Sequence, residues 1–327
     1  MTRWIKRLIT TFTLAMAACA SAPTSDTPLR IAGRPDVMEM GPIYYAAAEL
    51  SPDDTIVMPG GVPNLFRSDA QAHAGTSFDP WPGQADLAGQ AETQALRISI
   101  ANPNLRILMT VTEGVYRIVA RRSAGIETLA DLRGKRVAAF ANTSSAYFLH
   151  RMLRSAGMTE ADIQFVDLRP RDMSAAILEG RVDAIAIWEP ESERAHVGLG
   201  ADAVAFQDPN AYRELYNLNT TAEALADPAK RAQIVRFARA VIEAARVSET
   251  NPQTVWPLVA AQSGYDVDTI AAGWRHHRFP AALPADLLDV LVDEEQWFAA
   301  QTNRTPRTRE ELARLIDASI LEEALAP

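Results

Sequence analysis

The chain has 327 residues, 48% hydrophobic and 22% charged, which suits a folded protein of one large or two ordinary domains. Its formal net charge is −9 and no basic stripe interrupts it, which argues against a nucleic-acid partner. The only cysteine is Cys19, so no intrachain disulfide can form.

Residues 1–18 read as an export leader. Arg3, Lys6 and Arg7 give a positive start, and Leu8 to Ala18 is apolar but too short to span a bilayer. Met16-Ala17-Ala18-Cys19 resembles the bacterial lipoprotein box, which would make Cys19 the lipidated first residue of an exported, periplasmic or cell-surface chain. Residues 19–28, rich in Ser, Thr and Pro, read as a flexible tether.

Leu29 to Ala32 is the first predicted strand, followed by a loop through Gly33 and Asp36. A helix is expected near Gly41-Pro42, since proline suits a first helical turn. Tyr44 and Tyr45 in that turn either face a pocket or pack beneath the loop. Thr55 to Met58 is a second strand. Residues 59–84 are rich in Gly, Pro and polar side chains and carry Asp69, His73 and Trp81 without clear periodicity. Ala85 to Ala88 is a strand that runs through Gly89 to Thr93 into a helix carrying Ala95, Leu96 and Ile98. Leu105 to Thr112 is a strand, and Val115 to Ala120 is expected to extend it.

The most regular stretch is Asp131 to Pro190. Val137 to Ala141 has strand length. Phe148, Leu149, Met152, Leu153 and Ala156 then form one face of a helix, with Gly157 as its C-terminal cap. Ile163 to Leu168 is a strand, Asp172 to Leu178 a helix ended by Gly180, and Val182 to Ile187 a third strand. This alternation predicts parallel strands wound with helices. Thr143, Ser144 and Ser145 fall at a helix start, where backbone N–H groups attract a ligand oxygen or simply take a cap.

Beyond Pro190 a short helix, the extended Val204 to Phe206 and a mixed segment from Tyr212 to Asn219 are expected. From Leu225 onward the pattern is helical, with a stripe of Ile234, Phe237, Ala238, Val241, Ile242 and Ala245 ending at Asn251-Pro252. Further helices are predicted over 255–262, 267–274, 287–300 and 310–325. The order predicts an α/β protein of two lobes: 29–112 opens the first, 113–205 forms the second, and 206–327 completes the first. Strand ends near Gly33, Pro59, Gly89, Asn142 and Trp188 would then meet at a cleft, where open α/β sheets bind ligands.

Thr128 to Val137, with Asp131-Leu132-Arg133-Gly134-Lys135, resembles a segment of the substrate-binding proteins of ABC importers. It is closest to the sulfonate, taurine, nitrate and thiamine-precursor group (SsuA/THI5-like, NMT1-like). Gly180 to Ala184 with Trp188-Glu189-Pro190, and Gly41 to Ala46, resemble two further segments of that group. The resemblance implies a type II periplasmic-binding-protein fold, with two α/β lobes, a hinge and a helical C-terminal region. It implies a monomer that captures a small polar organic solute and delivers it to a permease and its ATPase, with no cofactor and no metal. It also implies ligand contacts from Gly41, Tyr44 and Tyr45, from Gln90, Ala91 and Glu92, from Asn142, Thr143, Ser144 and Ser145, and from Trp188 and Glu189. Asp183 is expected to serve the architecture of the second lobe.

Glu92, Glu113 and Glu189 give the expected cleft an acidic share, with Arg34 and Arg117 as the nearest cations in sequence. A ligand offering N–H donors suits that balance better than a sulfonate or nitrate. Enzyme readings are weaker: Gly-x-Ser-x-Gly, His-Glu-x-x-His and a phosphate loop are all missing from the sequence. A single cysteine at the leader boundary departs from the cysteine-rich motif of the thiamine-pyrimidine synthase, and a leader argues against a menaquinone-pathway enzyme. An exported sensory or accessory protein is the remaining alternative. His276-His277, flanked by Arg275 and Arg278, is read as a solvated helix face rather than a metal site.

Overall fold

The computed structural model describes residues 27–66 and 81–327. The leader, Cys19, the first part of the tether, Asp69 and His73 lie outside the described residues.

The chain builds two sheets. It lays down β1 (Leu29–Gly33), β2 (Thr55–Pro59), β3 (Leu87–Ala91) and β4 (Leu105–Gly114) in the first sheet. It then crosses to build β5 (Arg117–Arg121), β6 (Arg136–Ala139), β7 (Gln164–Asp167), β8 (Ala184–Ile187) and β9 (Ala203–Phe206) in the second. It returns as β10 (Glu214–Thr221) and β11 (His277–Arg278). The sheet orders are β11-β4-β10-β3-β1-β2 and β7-β6-β8-β5-β9. β1 is parallel to both β2 and β3, and β6 is parallel to both β7 and β8. Each sheet thus has one place where the winding reverses, between β1 and β3 in the first and between β6 and β8 in the second. Open α/β sheets leave a crevice at the carboxyl ends of such strands.

The α/β expectation and the parallel central unit hold. The structure departs from the sequence reading in three places. Residues 115–120 do not extend β4: the chain leaves the first sheet after Gly114, and β5 opens the second. The segment read as mixed is the eight-residue strand β10, which lies between β3 and β4 and is buried through seven of its residues. A strand covered on both faces shows no alternation to read. The last predicted helix is two short ones, Arg309–Ala313 and Ser319–Leu325, because Ile107 pairs with Ile316 between them.

Local chemistry fixes the helix starts. Thr143 caps the helix Ser144–Ser155 by accepting from the Ser145 N–H at 3.3 Å, and Gly157 ends it with φ +68°. Asp227 caps the 23-residue helix Pro228–Thr250, whose Ile234, Phe237, Ala238, Val241 and Ala245 are buried as the stripe requires. Arg136 and Asp183 pair at 2.7 Å within the second lobe. Among the described residues no helix is long and apolar enough to cross a membrane.

Candidate functional site

A cavity, with about 300 Å³ of space between atoms that is partly open to solvent, lies where the two reversal points face each other. The first lobe supplies Arg34, Val37 and Glu39 from the loop after β1, Gln90, Ala91 and Gln94 from the end of β3 and the helix Glu92–Ile98, and Glu214 and Tyr216 from β10. The second lobe supplies Thr143 and Ser144 after β6, and Trp188 after β8. A larger hollow of about 930 Å³, beside Phe66, Asp86 and Lys230, is lined from the first lobe alone, so lobe closure cannot enclose it.

The wall is held by a hydrogen-bond line at the crossing between the lobes. Tyr116 donates to Glu214 Oε1 at 2.5 Å, and its hydroxyl also lies 2.9 Å from Ser144 Oγ. Burial, then the Glu214 and Glu39 carboxyls, hold the Tyr116 phenol well above its usual range, so it remains a donor at neutral pH. The Tyr116 ring packs 5.7 Å from Trp188 and 5.4 Å from Tyr212, which fixes the indole on the wall. Burial and the nearby Glu39 and Glu92 carboxyls push Glu214 well above the carboxylate range. Glu39 faces His277 Nε2 at 3.4 Å. Arg34 is paired with Asp36 at 2.6 Å, and its guanidinium lies 5.1 Å from the Trp81 ring centroid.

Of the residues named from sequence, Gln90, Ala91, Thr143, Ser144 and Trp188 line this cavity, and so does Arg34. The others lie behind it or beside it. Gly41 packs under Trp274 and Val255, where a Cβ would meet Trp274 at 2.7 Å. Tyr44 is buried beneath the loop and donates to the Arg34 carbonyl at 3.3 Å, and Tyr45 packs against the same core. Glu92 is spent on the Tyr212 hydroxyl at 2.7 Å and the Leu215 N–H at 2.8 Å. Ser145 donates to the Ala186 carbonyl at 2.8 Å. Asn142, at φ +59°, turns its carbonyl to Gln94 and Arg97, closing the lobes on each other beside the cavity.

Glu189 and Arg117 form a separate buried cluster. Arg117 donates to Glu189 at 2.8 Å and to Glu193 at 2.6 Å. Burial outweighs the Arg117 attraction and leaves Glu189 raised. His276 joins the cluster; burial, Arg117 and Arg275 push its imidazole down to about 3, so it is neutral at pH 7. One ligand atom each of Glu189, Glu193 and His276 lies within 4.8 Å of the others, a spacing a metal could use. Arg117 already supplies the positive charge there. Neither histidine lies on a solvated helix face. His276 ends a tight turn and His277 is a buried residue of β11 against Glu39, while Arg275 and Arg278 take the solvent. Glu113 binds Arg213 at 3.1 Å, away from the cavity.

Sequence reasoning missed Val37, Glu39, Gln94, Glu214 and Tyr216. A signal for Glu39 was present: it is a lone carboxylate between Met38 and Met40. Glu214 gave none, because β10 was not recognised as a strand.

With this geometry in hand, a family model described as NMT1/THI5 like matches residues 82–255. The chain belongs to the NMT1/THI5-like family. A curated protein of Escherichia coli (strain K12), "Putative aliphatic sulfonates-binding protein", is 45% identical over 73 residues. That match covers 22% of this chain and 23% of the relative, so the chain spans under a quarter of the curated protein it resembles. Solved structures share the fold more widely. The periplasmic aliphatic sulphonate binding protein SsuA from Escherichia coli superposes with a TM-score of 0.68 at 21% identity, over 90% of this chain and 92% of that one. The desulfurization enzyme DSZB superposes with a TM-score of 0.61 at 14% identity, over 91% of this chain and 99% of that one. This NMT1/THI5-like chain therefore has a fold that both binding proteins and an enzyme use.

Proposed function

We propose that the protein is the solute-binding component of an ABC importer, a monomer that captures a small polar organic solute between its lobes and hands it to a permease with its ATPase. The observation that carries this reading is the cavity itself. Its walls come from both lobes, between which the chain passes, among the described residues, at the segments around Val115 and 207–213. A ligand that touches both walls stabilises the closed arrangement over the open one by its differential contacts. Gln90, Ala91, Thr143, Ser144 and Trp188 are its proposed contacts, joined by Arg34, Gln94, Glu39, Glu214 and Tyr216. Gly41, Tyr44, Tyr45, Glu92, Asn142, Ser145 and Glu189 are assigned to shaping or closing the cleft.

Export and lipid attachment at Cys19 complete the reading, since a tether through residues 19–28 would leave the lobes free at a membrane surface. The sulfonate-binding relatives support the transport role. No bond need be made or broken: Ser144 Oγ is satisfied by Tyr116, and Trp188 adds an aromatic side chain to the lining.

Native mass spectrometry of the protein purified without refolding tests this. The expected result is a discrete small-molecule adduct that is lost on denaturation and lost in Trp188→Ala. A folded Trp188→Ala variant that keeps the adduct undiminished would remove the site assignment.

A further inference from the structure

Each of the two carboxyls on the cavity wall has one oxygen engaged, by His277 and by Tyr116, and one oxygen without a donor. Glu39 and Glu214 are 1% and 3% exposed, and Oε2 of each is buried without a hydrogen-bond partner among the described residues. They sit together: a Cβ placed on Gly114 would lie 3.1 Å from Glu214 Oε2 and 3.4 Å from Glu39 Oε1. The two side chains are within reach of each other, and burial together with the Glu39 carboxyl holds Glu214 well above the carboxylate range. Buried polar atoms left unpartnered are costly, and in a native site each calls for an explanation.

Among the described residues the wall has one cation, Arg34, and it is already bound to Asp36. An anion entering here would meet two buried carboxyls and one guanidinium neutralised by its neighbour. Recognition of a sulfonate wants the reverse balance, with charged donors converging on its oxygens. Trp188 lines the same space. Carboxylate oxygens and an indole lining one space suit a flat cation.

We propose that this cleft selects a small planar cation with N–H groups along one edge, an amidinium or a protonated amino-heterocycle, held by Glu39 and Glu214 and stacked on Trp188. The cation's N–H groups supply the donors that the two unpartnered Oε2 atoms lack. The inference rests on the solute-capture reading above and sets its chemistry apart from that of the sulfonate-binding relatives.

The test is calorimetric titration of the whole protein, freed of retained solute by dialysis, with benzamidinium, 4-aminopyridinium, ethanesulfonate and nitrate. Saturable binding is expected from at least one of the two cations and from neither anion. Glu39→Gln and Glu214→Gln should each weaken that binding by about thirtyfold or more, because each leaves a buried charge interaction unmade. Both variants should melt no lower than the wild type without ligand, which separates lost recognition from lost folding. Binding of ethanesulfonate or nitrate in the cleft, or cation binding unchanged in both variants, overturns the inference and leaves solute capture standing. Binding of neither class, together with no solute retained through purification, overturns both.

Discussion

Tyr116 and Glu214 meet at 2.5 Å on the two segments that cross between the lobes, one entering the second sheet and one leaving it. Tyr116 also reaches Ser144 and packs on Trp188. One buried phenol thus ties the hinge to the wall of the cleft.

Glu214→Gln should raise the stability of the empty protein, and more so at higher pH. The folded-state value of Glu214 is raised, first by burial and then by Glu39 and Glu92. Its protonated form therefore suits the fold, and that contribution is full below the ordinary value of 4.5 and is lost as pH rises through the folded-state value. The glutamine cannot ionise. The expected gain at pH 7 is about 1–3 kcal/mol, shrinking toward zero near pH 4. Urea denaturation at the two pH values measures it.

Arg117→Met should destabilise the second lobe by about 3–5 kcal/mol, since it strands Glu189 and Glu193 without their common partner. The loss should be partly recovered in Arg117→Met with Glu189→Gln. Thermal unfolding of the two variants provides the comparison.

Arg97→Ala acts on closure rather than on the wall. Arg97 and Gln94 both hold the Asn142 carbonyl across the cleft. Without Arg97 the closed form loses one charged hydrogen bond, about 1.5–3 kcal/mol, and the bound solute should leave faster. Small-angle scattering should show a larger radius of gyration for the variant. At the same position, Asn142→Gly should be tolerated and Asn142→Val should not, because φ is +59° there.

Glu295 braces the wall from behind. It accepts from Arg304 at 2.9 Å and from the Arg307 N–H at 2.7 Å, and Arg307 in turn donates to the Leu96 carbonyl at 2.8 Å. Burial alone would raise Glu295, but the Arg304 and Arg307 hydrogen bonds carry it down to about 2. A depressed carboxyl contributes stability above its ordinary value of 4.5, and that contribution fades as pH falls through about 2. Glu295→Ala should cost about 3 kcal/mol at pH 7 and much less at pH 2, read by denaturant titration.

The strand ends were legible because short apolar runs stop at small or polar residues. Gly89-Gln90-Ala91 and Asn142-Thr143-Ser144 show this, as does Trp188 after β8. The acidic character of the cleft was legible too, but on the wrong residues. Glu92, Glu113 and Glu189 each turned out to have a partner within their own surroundings: Tyr212, Arg213 and Arg117. Glu39 and Glu214 come together only when β10 inserts between β3 and β4, a pairing across more than a hundred residues of chain. Local pattern carries no trace of such a contact.

The most direct measurement is a crystal structure of the protein purified from expressing cells without refolding. The expected result is density for a small molecule between Trp188 and the Glu39–Glu214 pair, with both lobes in contact. An empty cleft with its walls packed together, or a molecule held only by the first lobe, would contradict solute capture by closure.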